Sequence, residues 1–151
     1  MNSQIEQRDK CPKFAWIILL VLGCVDLFRG VLHTIFLRFA AENIMGLNLA
    51  AEADNQLLLM GTFGISNYIT GIVWILIAFK ARNIVQWILL VIPGSYALGT
   101  IFIRFVYGVE SSSKLGGLPM MIGYMIVCIG TFIAILIWKK IKETKTKQDI
   151  N

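Results

Sequence analysis

The sequence predicts an all-α integral membrane protein, a four-helix bundle with both termini in the cytoplasm, and three observations lead there. The chain of 151 residues is 57 % hydrophobic and only 15 % charged, whereas charged residues make up about a quarter of a soluble domain. Four apolar segments, 14–37, 57–79, 84–107 and 118–138, each reach the roughly 20 residues that a helix needs to cross a hydrocarbon core about 30 Å thick. The basic residues then alternate by side. Arg8, Lys10 and Lys13 precede the first segment, Lys80 and Arg82 fill the turn after the second, and Lys139, Lys140, Lys142, Lys145 and Lys147 follow the fourth. The other two connections hold Arg38 and Lys114 among Glu42, Glu52, Asp54 and Glu110. The excess of Lys and Arg on one side marks that side as cytoplasmic.

These segments are far longer than the roughly 9–11 residues of a membrane-barrel strand, and they lack strict alternation. The net charge of +5 reads as topology, with no nucleic-acid surface gathered from it. The whole chain is expected to form a single transmembrane domain in the plasma or cytoplasmic membrane, with the lipid bilayer as its main partner.

The first span begins after Pro12. Its "VLGC", Val21 to Cys24, resembles the lipid-modification box of bacterial lipoproteins. A signal sequence stops being apolar after a short core, whereas here Leu27, Phe28, Val31, Leu32, Ile35, Phe36 and Leu37 continue the stripe. An uncleaved first helix is expected. The stretch 40–56 is too polar for the membrane interior, yet Ile44, Met45, Leu47 and Leu49 can touch its surface, so it is expected to form an outer interfacial helix or lid.

"KARN" is so short a link that the second and third spans must be antiparallel neighbours. Pro93 removes a backbone donor in mid-span and is expected to kink the third helix. "GVESSSKLGG" has the Gly and Ser content of a flexible connector. The tail 139–151 is expected to be a basic cytoplasmic anchor that frays, with attraction to anionic headgroups as the alternative. Small residues mark packing faces, because close backbone approach does much of the packing between helices in lipid. They are Gly23 and Gly30, then Gly61, Gly64 and Gly71, then Ser95 and Gly99, then Gly123 and Gly130.

The informative stretch is "CVDLFRGVLH", residues 24–33. Asp26, Arg29 and the chain's single histidine, His33, lie at i, i+3 and i+7, inside a helical stripe about 60° wide bordered by Gly23 and Gly30. At 1.5 Å per residue they stand about 18, 22 and 28 Å into the membrane. Asn67 on the second span, Ser95 and Tyr96 on the third and Tyr124 on the fourth reach comparable depth. Together these seven residues are the expected lining of one polar cavity open to the outside.

Two readings compete. As scaffold, Asp26 and Arg29 neutralise each other while His33 and Asn67 bond across helices, and such bonds average about 0.6 kcal/mol. As a working site, the group accounts for charges that cost at least about 2.5–3.5 kcal/mol each near a span centre.

Other residues have plainer readings. The tryptophans and Tyr107 suit interface anchoring, Met60, Met120, Met121 and Met125 suit gap filling, and Arg104 suits snorkelling. Cys11, Cys24 and Cys128 have no metal spacing and look like small apolar fillers, with acylation of juxtamembrane Cys11 as a weak alternative. No metal or cofactor is expected, because a lone His lacks the convergent donors that metals need. An enzyme acting on lipid or quinone is the weakest reading, since no nucleophile and base are recognisably spaced and no Gly-rich cofactor loop appears.

The order "RGVLH", then "AAENIMGLNL", then a Gly-rich second span, then "ARN" and a third span ending "IRFVYG" resembles the small four-helix membrane proteins of the DoxX-like group. That resemblance covers most of the chain and implies a four-helix bundle, with no activity or residue roles carried over. The functional expectation is binding or transport of a small polar or anionic solute, or of protons, by a homodimer. In it Arg29 holds the negative group, Asp26 is its counter-ion and His33 is a titratable gate. The alternative is a non-catalytic assembly or regulatory subunit that recognises a partner helix through the same stripe.

Overall fold

The computed structural model describes residues 11–49, 53–107 and 117–148, and no strand occurs among them. Four long helices, α1 (Lys13–Thr34), α2 (Ala53–Lys80), α3 (Val85–Tyr107) and α4 (Gly117–Gln148), account for most of these residues. All four are long and apolar enough to cross a membrane. The chain is thus all-helical, with dimensions compatible with a small membrane protein.

Pro12 stands immediately before α1, where its missing N–H costs no helical bond. The first span was expected to run to residue 37, but α1 ends at Thr34 and Phe36 leaves helical geometry with φ −101° and ψ 33°. A single turn, Leu37–Phe39, and a π-helical turn, Ala40–Ile44, follow. The chain then reverses at Gly46, whose φ of 67° suits a residue without Cβ. Buried Ala40 and Ala41 let this segment fold against Met60, with Leu37, Leu47 and Leu57 around them. The expected interfacial helix or lid is therefore a π turn and irregular chain packed on α2, which starts at Ala53.

The predicted connector "GVESSSKLGG" lies outside the described residues over 108–116, as do 1–10, 50–52 and 149–151. The tail expected to fray continues α4 as helix through Gln148. At 1.5 Å per residue this helix is about 48 Å long, so its basic last turns extend well beyond a hydrocarbon core of about 30 Å.

Glycine sets the packing of the first two helices. A Cβ on Gly23 would lie 2.9 Å from the Gly71 carbonyl oxygen, one on Gly71 2.7 Å from the Gly23 oxygen, and one on Gly64 3.0 Å from the His33 backbone. The pairs 23 with 71, 30 with 68 and 34 with 64 run in opposite directions, giving an antiparallel seam in which the two backbones touch. Thr34 Oγ1 donates its one proton to the Gly30 carbonyl at 2.8 Å and so accepts from Tyr68 Oη at 3.0 Å across that seam. The packing faces expected on α3 and α4 are not used in the same way. Among the described residues, nothing beyond their own stretch of helix lies within 4 Å of where a Cβ on Gly99, Gly123 or Gly130 would stand.

One end of the bundle is tied together. Ala15, Leu19, Leu22, Val85, Leu89 and Cys128 bury a core near the basic end. The Arg82 guanidinium lies 4.2 Å from the centre of the Trp16 ring and donates to the Ala78 carbonyl, while Lys139 donates to Gln86 between α4 and α3. Beyond buried Pro93 the arrangement changes, for no residue of α3 from Gly94 to Val106 is buried. Pro93 lies within continuous helix, and it is the last buried residue of α3 up to Val106.

Candidate functional site

A cavity of about 620 Å³ is lined by all four helices. Asp26, Arg29 and His33 line it from α1, Asn67 from α2, Ser95 and Tyr96 from α3, and Tyr124 from α4. All seven residues singled out in the sequence thus surround one space. The helical stripe of α1 explains part of this, because 26, 29 and 33 share one face and the Gly seam turns the adjacent face onto α2.

Asp26 is at the floor, its side chain 7 % exposed. Tyr124 donates to its Oδ2 at 3.0 Å, and the Trp74 indole faces the same carboxylate. Arg29 donates from Nη1 to Oδ1 at 3.4 Å, a long contact for an ion pair. The carboxylate is therefore held mainly from α4, while among the described residues the guanidinium has one loose partner, from the preceding turn. A guanidinium carries five N–H donors, and that of Arg29, 23 % exposed, borders the cavity. Its spare donors are the most available charged group at the site.

His33 is buried, with Nδ1 3.4 Å from the Asn67 amide nitrogen. When that amide donates, the ring proton is on Nε2. Both residues are thus cross-helix partners and cavity lining at once. The interhelical bonding expected of Asn67 is shared by its neighbour Tyr68, which faces Gly30 and Thr34.

No family model, curated protein or solved structure matches this chain.

Most of the wall is apolar, and here the sequence reading missed residues. Met60, Phe63 and Trp74 of α2, Val91 and Ile92 of α3, and Met120 and Met121 of α4 line the cavity, with Ile44 and Met45 closing its far end. Met60, Met120 and Met121 were expected to be gap fillers, and Trp74 an anchor. The signal was present on α2, where 60, 63, 67, 70 and 74 alternate steps of three and four and so share a stripe about 80° wide around Asn67. Arg104 stays exposed near the end of α3 and does not line the cavity.

Among the described residues no group of His, Cys, Asp and Glu is placed to hold a metal ion. Cys11 lies at the basic end, half-buried, and burial raises its thiol above the usual range against the lowering pull of Lys139 and Arg82. A thiol kept protonated is a poor nucleophile.

Proposed function

We propose that this chain is a multi-pass membrane protein, with both termini cytoplasmic, whose cavity binds a small molecule through an anionic or strongly polar group. The observation that carries this reading is the loose 3.4 Å contact between Arg29 and Asp26 at the cavity wall. With Asp26 retained by Tyr124, an incoming acceptor engages the guanidinium without stranding the carboxylate. A cavity of about 620 Å³ also falls within the roughly 300–1,000 Å³ of small-molecule sites.

The ties at the basic end, Arg82 on Trp16 and Lys139 on Gln86, favour access from the opposite, outer half. Transport of a solute or of protons is the extension of this reading, and it requires the tied end to open. The DoxX-like resemblance agrees with the helix count and assigns no role. The test is binding and uptake by Arg29→Ala and Asp26→Asn proteins at normal membrane abundance. Loss of both from Arg29→Ala protein, with binding kept or tightened in Asp26→Asn protein because the guanidinium loses its competing carboxylate, is the expected result at unchanged abundance, and unchanged uptake together with unchanged binding in Arg29→Ala protein sinks the proposal.

A second reading has its own observation. Open space beside Gly99, Gly123 and Gly130 favours a second copy or a partner helix against α3 and α4, since small residues permit close approach in lipid. Loss of a co-purifying partner from Gly123→Leu protein, with ligand binding intact, would support it.

A further inference from the structure

We propose that the occupant of the cavity is a single-chain amphiphile with an acidic head, held at Arg29, whose hydrocarbon chain leaves sideways between α2 and α3 into the bilayer. This rests on the reading of Arg29 as the binding group and names the class of ligand.

The side wall carries the argument. Phe63 and Ser66 on α2, and Val91 and Ser95 on α3, line the cavity and are exposed, Phe63 to 61 % and Val91 to 55 %. Ser66 and Ser95 each stand about 20 Å along their helices from the short turn that joins these helices, so the gap opens within a hydrocarbon core about 30 Å thick. The space beside it is therefore filled by acyl chains, and a ligand arriving there arrives from lipid.

The distribution of polarity agrees. Charge is confined to the floor at Asp26 and Arg29, while Met60, Phe63, Trp74 and Ile92 make up much of the rest. A small hydrated anion would be stripped of water against that wall with one guanidinium in return. An amphiphile meets both surfaces with matching chemistry. Arg29 and Asp26 already cancel in charge, so an acid that crosses hydrocarbon carrying its proton reaches the guanidinium without adding net charge to a low-dielectric site.

The chain adds little contact energy over that available in lipid, but it concentrates the ligand in the membrane, since burying each CH₂ from water is worth about 0.8 kcal/mol. A long-chain acid should therefore saturate the site at an aqueous concentration at least about a hundredfold below that of a short one.

Trp74, beside the floor, is the reporter. A single-tryptophan protein (Trp16→Phe, Trp87→Phe, Trp138→Phe) in phosphatidylcholine vesicles is titrated with chain-brominated palmitic acid, with bromopropionic acid and with a chain-brominated long-chain alcohol. The expected result is saturable quenching by the long-chain acid, displaced by unbrominated palmitic acid. It is weakened at least about tenfold by Arg29→Ala, as loss of a charge-assisted hydrogen bond implies. Ser95→Phe, which narrows the gap between α2 and α3, should weaken the long-chain acid more than the short one. It also serves where Arg29→Ala protein fails to fold.

If the short acid saturates as readily as the long one, the chain is irrelevant and only the anion reading stands. If the alcohol saturates as tightly as the acid and Arg29→Ala changes nothing, the acidic head is wrong. If neither acid gives saturable quenching, both this proposal and the anion reading fall.

Discussion

Tyr124 of α4 donates its hydroxyl to Asp26 Oδ2 of α1 at 3.0 Å, tying the α1–α2 seam to the α3–α4 pair at the floor of the cavity. Hydrogen bonds to a charged group are worth about 1.5–3 kcal/mol in water-soluble proteins, while interhelical bonds in membranes average about 0.6 kcal/mol. Tyr124→Phe is therefore expected to destabilise by about 1 kcal/mol, seen as a lowered midpoint in detergent unfolding. A double-mutant cycle with Asp26→Ala, which removes the acceptor, should show coupling of about that size. Strict additivity of the two substitutions would mean that the bond does no stabilising work.

Arg29 and Asp26 should behave as a pair even though their contact is long. Arg29→Leu leaves a carboxylate 7 % exposed with Tyr124 and Trp74 as its remaining company, and an incompletely paired buried charge is the costly case. Replacing both, Asp26→Leu with Arg29→Leu, removes charge and counter-charge together. The double variant is expected to unfold later than Arg29→Leu alone, by at least about 1 kcal/mol, while retaining no ligand binding. A double variant less stable than the single would show that the pair itself holds the helices.

The two halves of the bundle should differ sharply in their tolerance of added methyl groups. At Gly71 a Cβ meets the Gly23 carbonyl oxygen at 2.7 Å and the Leu27 side chain at 2.9 Å, and at Gly23 it meets the Gly71 oxygen at 2.9 Å. Backbone cannot move aside cheaply, so Gly71→Ala and Gly23→Ala are each expected to cost about 1–3 kcal/mol, the usual range for overpacking. Gly99→Ala and Gly130→Ala have open space and should be neutral in the isolated protein, or slightly stabilising, since Ala favours helix by about 1 kcal/mol over Gly. Equal effects at all four positions would contradict the seam.

The physical source of each feature decides how legible it was in sequence. Helix number follows from hydropathy over about 20 residues, a local property, so all four helices could be placed. The α1 face carrying Asp26, Arg29 and His33 follows from helical period alone. Which glycines touch is not local. Gly23 and Gly123 look alike in sequence, yet one lies on a backbone and the other on open space, because contact depends on the rotation of one helix relative to its neighbour. The apolar wall was legible on α2, where Met60, Phe63 and Trp74 share the stripe of Asn67, but hidden on α4, since a methionine facing a cavity and one filling a core have the same neighbours along the chain. Pro93 was expected to kink the third helix, but it lies within continuous helix, and the loss of buried positions after it depends on what the other helices offer to pack against.

Cys11 gives a pH prediction outside the membrane-spanning segments. Burial raises its thiol, with Lys139 and Arg82 partly offsetting the effect, so at any given pH its thiolate fraction lies below that of a free cysteine, whose pKa is about 8.5. The thiolate is the species that reacts. In protein carrying Cys24→Ser and Cys128→Ala, iodoacetamide should label Cys11 more slowly than it labels a free thiol at pH 8, with the rate still climbing above the pH where the free thiol levels off. The linkage has a definite sign. The fold favours the protonated thiol, so this contribution to stability is present in full below the unfolded pKa and is lost as pH rises through the folded one. Unfolding in SDS should restore the ordinary rate at pH 8. A folded protein that labels as fast as its unfolded form would show that Cys11 is not shielded at the basic end of the bundle.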